Sequence, residues 1–167
     1  ILISPMIVPL IITSAGMFFF YSKIGLTHTY LGLILAHTAL GTPFVVITVT
    51  ATLTGFDTNL IRASQSLGAD TMRTFFKVIM PLILPGVISG ALFAFITSFD
   101  EVVVVMFVGS VEQITIPKQM WAGLRQETSP VILCMATCLV FLSIALLTTV
   151  ELLRRRSERL RGIKLQN

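Results

Sequence analysis

Charged residues are scarce in this chain: they make up 12% of its 167 residues, against 54% hydrophobic. A soluble core of that size has too little polar surface to cover so much apolar side chain, so a water-soluble globule is excluded and a lipid environment expected. Cysteine is scarcer still. The two present, Cys134 and Cys138, stand i,i+4 in an apolar run with no CxxC spacing and no histidine pair nearby. That excludes a disulfide framework and a zinc signal and leaves buried packing residues. Also missing are a GxxxxGK[ST] phosphate loop, an HExxH pair and any base beside a plausible nucleophile, so no catalytic site is expected. The first residue, Ile1, lies in an apolar run without an initiating Met, a basic flank or a small-residue cleavage site. A signal peptide fits that start poorly, and the chain is read as the C-terminal part of a longer protein.

What is present is length in apolar runs. Residues 3–20, 30–50, 82–108 and 130–153 are each predicted to cross a hydrocarbon core of about 30 Å, which takes roughly 20 helical residues. The fold class is therefore all-α, a polytopic transmembrane helix bundle of about four spans. Pro5 and Pro9 mark an irregular start to the first span, and Pro43 a bend in the second. Gly32, Ala36, Ala39 and Gly41 give the second span a face that a partner helix can approach closely.

The net charge of +4 could point to nucleic acid, but Arg154, Arg155, Arg156, Arg159, Arg161 and Lys164 all follow the last apolar run. They read as a basic flank, residues 154–167, and nucleic acid is not expected as a partner. Four alternating spans put this tail on the same side as the loop carrying Arg62, Arg73 and Lys77, and the positive-inside tendency assigns both to the cytoplasm. Trp121 then falls at the opposite interface as a belt residue.

The one long polar interruption is residues 55–81. Asp57 or Thr58 is predicted to cap a helix over residues 59–67, Gly68 to end it in a left-handed conformation, and Asp70 or Thr71 to cap a second helix running to Met80, before Pro81. Leu60, Ile61 and Leu67 give the first helix an apolar side; Phe75, Phe76 and Ile79 do so for the second. Such a pair lies at a membrane face rather than across it.

This stretch resembles the cytoplasmic signature loop of permease subunits of bacterial ATP-binding-cassette importers, whose pattern is Glu-Ala-Ala, three residues, Gly, nine residues, aliphatic, one residue, aliphatic, Pro. Ala63 and Ser64 stand at the alanines, Gly68 at the glycine, Val78 and Met80 at the aliphatics and Pro81 at the proline. Arg62 occupies the glutamate position with opposite charge and Ser64 replaces the second alanine, so contacts made through that glutamate do not carry over. The flanks LGTPFVVITVTATLTGFD, PLILPGVISGALFAFITSFDEVVVVMF and SPMIVPLI look like the second-permease branch of spermidine/putrescine importers.

The resemblance implies a type I permease with one or two N-terminal helices missing, and ATPase coupling through Arg62, Ala63, Ser64, Gly68, Ala69 and Pro81. It further implies a second homologous permease, ATPase subunits that bind the ATP, a periplasmic polyamine-binding protein, an inner-membrane location, and no cofactor or metal in this subunit. Substrate would pass by alternating access. Importers of another solute, such as iron, sulfate or a phosphonate, are the nearest rivals; a channel or a membrane enzyme is the rival outside the class.

Asp100 and Glu101, with Thr97 and Ser98 before them, form the second informative group. A carboxylate at membrane depth costs on the order of 2.5 to 3.5 kcal/mol and often marks a transport path. On a continuous helix adjacent residues point about 100° apart, so one of the pair is expected to face the path. Asp100 is preferred, with Thr97 beside it. The alternative is that the helix ends near Phe99 and both are water-exposed cap residues. His37 reads as a hydrogen-bonded packing histidine rather than a ligand or proton relay, His28 as an external-loop residue, and Phe18 to Tyr21 as an interfacial aromatic cluster.

Overall fold

The computed structural model describes residues 2–126 and 130–160, all of whose regular structure is helical. Prolines set the beginning. Pro5 sits in the first turn of α1 (Ser4–Ile7), and Val8 is extended at φ −78° and ψ 137°, as a residue before proline must be. Pro9 then starts α2 (Leu10–Lys23). At 14 residues, α2 rises only about 21 Å. The predicted span over residues 3–20 is thus two pieces, and among the described residues three helices, not four, are long and apolar enough to cross a membrane.

The first of these is α3 (Tyr30–Thr54), whose start is capped by Thr29: its hydroxyl accepts from the Gly32 N–H at 3.0 Å. After a short helix α4 (Asn59–Ser66), the chain forms α5 (Thr71–Thr74), a π turn (Phe75–Ile79) and α6 (Met80–Phe99), which run together as one 29-residue helix. Pro81 does not interrupt it, contrary to the expected boundary. The register change falls in the preceding π turn, where the Met80 N–H reaches back five residues to the Phe75 carbonyl.

The predicted span 82–108 is also corrected. Helix α6 ends at Phe99, and α7 (Val103–Val108) is a separate element. An amphipathic helix, α8 (Ile116–Gln126), and the long α9 (Pro130–Leu160) complete the chain. Thus α9 extends into the proposed tail, and Cys134 and Cys138, expected to be buried, are exposed on it; Arg161 and Lys164 lie outside the described residues.

Two packing centres hold these elements. The most extensive helix pair is α3 with α6, and its seam is built from small residues. Gly86, Gly90 and Ala94 recur every four residues on α6. A Cβ on Gly90 would lie 2.7 Å from Val45 Cα, one on Gly86 would lie 3.0 Å from the Thr48 carbonyl oxygen, and one on Gly41 would meet Ala94 Cβ at 2.9 Å. Thr48 and Thr52 donate their hydroxyls to Phe44 and Thr48 carbonyls of their own helix, both at 2.9 Å, so neither proton is left facing the seam. Close backbone approach of this kind is how helices associate in lipid, where apolar burial gives no drive. The second centre joins α2, α7 and the start of α3 through Tyr21, Leu33, Ala36, Leu40, Val104, Val105 and Val108.

Candidate functional site

One end of the molecule carries the two-helix element anticipated in the sequence. Asp57 rather than Thr58 supplies the side-chain acceptor at the start of α4, receiving the Asn59 N–H at 2.9 Å. At the other end Gly68 takes φ +81°, its N–H bonds the Gln65 carbonyl at 2.9 Å, and the Ala69 N–H reaches the Ser64 carbonyl at 3.1 Å. That pair of bonds closes a helix on a left-handed residue, for which glycine carries no Cβ penalty. Asp70 caps α5, accepting the Arg73 N–H at 2.7 Å.

The two short helices are also stapled by side chains. Ser64 Oγ donates to the Ile61 carbonyl at 2.8 Å and stands 2.9 Å from Thr74 Oγ1, and Thr74 is buried. Arg62, Ala63 and Gly68 are exposed, Ala69 and Pro81 partly so. Leu67 is 88% exposed and Phe76 59%. The residues proposed for coupling therefore form a rigid, outward-facing knob with an uncovered apolar tip. The Ser64–Thr74 contact was not anticipated; two hydroxyl residues flanking a helix-ending glycine were the available signal.

The opposite end holds the carboxylates, and the structure separates them. Asp100 closes α6 and is exposed; it borders a hollow of about 400 Å³ together with Trp121 and Ser143. Glu101 is buried, and its Oε1 accepts the Val104 N–H at 2.8 Å, capping α7. The expectation of a continuous helix through both fails because α6 stops here and α7 needs a cap. Thr97 is partly buried in the last turn of α6 and does not line the main cavity; Ser98 does.

That cavity, about 1060 Å³, lies between α3, α6, the connection before α8 and a residue of α9. His37 reaches into it from α3, its Nδ1 2.8 Å from Ser98 Oγ, and so joins the two seam helices with a polar bond. The connection itself is internally braced. Gln113 Oε1 accepts the Ser110 N–H at 2.9 Å, and Lys118 Nζ donates to the Ser110 and Gln113 carbonyls at 2.9 and 3.1 Å. His28, at φ 60°, donates from its backbone to the Val108 carbonyl at 2.9 Å, with Nδ1 3.2 Å from the Gly109 carbonyl. A carbonyl only accepts, so Nδ1 carries the proton.

Helices that fit a bilayer, a rigid knob at one end and a partly polar cavity toward the other are the parts of a membrane transport subunit. The chain belongs to the family described as binding-protein-dependent transport system inner membrane component, which it matches over residues 1–160. It is a multi-pass membrane protein of that family. Among named relatives, the spermidine/putrescine transport system permease protein PotC of Haemophilus influenzae is 32% identical over 152 residues, covering 91% of this chain and 59% of that protein. PotC of Escherichia coli K12 is 30% identical over 150 residues, 90% of this chain and 57% of that one. The putrescine transport system permease protein PotI of the same strain is 28% identical over 145 residues, 82% and 51% respectively. The chain spans little more than half the length of these relatives.

Proposed function

We propose that this chain is part of a permease subunit of an ATP-binding-cassette importer of polyamines, working beside a second permease, ATPase subunits that bind and hydrolyse the nucleotide, and an external polyamine-binding protein. The observation that carries this reading is mechanical: α5, to which α4 is stapled through Ser64 and Thr74, runs through the π turn into α6, the helix that borders the cavity. A displacement imposed on the knob is delivered to the cavity wall by a helix rather than dissipated in a loop, which is what alternating access requires.

The polyamine assignment is supported by the names of the relatives. The positive-inside tendency supports a cytoplasmic knob, carrying Arg62, Arg73 and Lys77. Asp100 and Glu101 then lie toward the outer face. In this reading the subunit is not an enzyme, and holds no cofactor of its own. The test is uptake of radiolabelled spermidine by proteoliposomes containing the full-length complex with ATP inside or outside. ATP-dependent uptake that is lost on deleting residues 59–74 supports the reading. Uptake that persists without the ATPase subunit defeats it.

A further inference from the structure

We infer that the cavity between α3 and α6 is the ammonium-binding site of the transport path, with Glu112, His37, Thr38 and Thr42 as its acceptors. This rests on the polyamine reading and extends it to residues outside the Asp100–Glu101 pair. The direction of the hydrogen bonds marks the cavity as a site of acceptors. Thr38 and Thr42 line the cavity, and each hydroxyl donates at 2.7 Å to a carbonyl of its own helix, Ile34 and Thr38 respectively. With its single proton committed, each hydroxyl offers the cavity only lone pairs.

Glu112 lines the same cavity, is exposed, and has neither ion pair nor hydrogen bond through its carboxylate within the described residues. His37 adds an adjustable acceptor. When Nδ1–H donates to Ser98 Oγ, Nε2 is left with a lone pair and no partner among the described residues, and no buried nitrogen or oxygen there lacks one, so Nε2 is reachable. A ligand N–H therefore selects this tautomer and an acceptor ligand does not.

Charge is sorted across the connection in the same sense. Glu112 faces the cavity, whereas Lys118 lines a separate hollow with Met106 and Gln119 and spends two of its three protons on main-chain carbonyls. Apolar lining beside the acceptors, from Val45, Val46 and Phe95, suits the methylene segments of a polyamine. An anionic solute would find unmatched lone pairs and like charge.

The experiment measures concentration-dependent spermidine uptake by proteoliposomes of the complete complex, for wild type and for Glu112→Gln, Thr42→Val, His37→Phe and His37→Gln. Removing the carboxylate charge in Glu112→Gln, which keeps an acceptor oxygen, and removing the acceptor in His37→Phe each predict KM raised about tenfold, the scale of a hydrogen bond to a charged group. Thr42→Val raises it about threefold, since the Thr38 hydroxyl remains as an acceptor beside it. His37→Gln, which returns an acceptor near the Nε2 position, recovers most of the His37→Phe loss. ATPase retention and detergent melting temperature stay at wild-type values in Glu112→Gln and Thr42→Val. Wild-type uptake with KM unchanged across the variants overturns the cavity assignment alone. No ATP-dependent polyamine uptake by wild type overturns the polyamine reading and this inference together.

Discussion

Asp100 and Glu101 are neighbours in sequence and opposites in environment. Glu101 is buried with its oxygen on the Val104 N–H in the first turn of α7, while Asp100 is exposed at the end of α6. A cap needs an acceptor rather than a charge. Glu101→Gln is therefore expected to hold the detergent melting temperature and the uptake rate near wild type, whereas Glu101→Leu loses the cap, about 0.5 to 2 kcal/mol, and melts several degrees lower. Asp100→Asn is expected to leave stability unchanged and lower spermidine uptake; unchanged uptake removes that residue from the path. The sequence reached both carboxylates and kept open the alternative that the helix ends near Phe99. It could not choose, because a helix stop at Phe99 depends on α7 packing against α2, a long-range contact that local pattern does not encode.

At the scale of elements, the α4–α5 knob was the most legible part of the chain. Its determinants are local: an Asx cap, a glycine at φ +81° and a second aspartate cap. Gly68→Val places a β-branched residue in the left-handed region at a cost of roughly 1 to 2 kcal/mol. It is expected to loosen α4 and reduce co-purification of the ATPase while leaving the bundle folded. Ser64→Ala removes the link to Thr74 and is expected to raise amide hydrogen exchange in α4. The α3–α6 seam was half legible, since small residues on α3 were noted and the partner run Gly86, Gly90, Ala94 was not. Gly90→Leu drives a side chain into Val45 and Thr48, and overpacking of at least 1 to 3 kcal/mol should appear as aggregation in detergent. Pro81 misled the boundary because the change of register falls in the π turn just before it, and the helix passes the proline without stopping.

Across the whole molecule, the described core is small and the outer surface apolar. None of the α9 window Pro130–Thr149 is buried, and side chains such as Ile7, Phe19 and Phe141 are more than 60% exposed. In water this would be an aggregation surface; in a bilayer it is ordinary, since lipid tails solvate such side chains as well as a protein neighbour does. The all-α class and the membrane setting were legible from composition for that reason. The number of spans was not, because Pro9 divides the first apolar run and α6 stops short of the end of the third.

The five-residue turn at Phe75–Ile79 holds one residue more than an ordinary helical turn. That surplus fixes the azimuth of the knob relative to the seam, as a spacer fixes the phase between two gears. Excising a single residue such as Val78 would swing Arg62 and Leu67 about 100° around the axis, leaving both ends folded yet out of mesh.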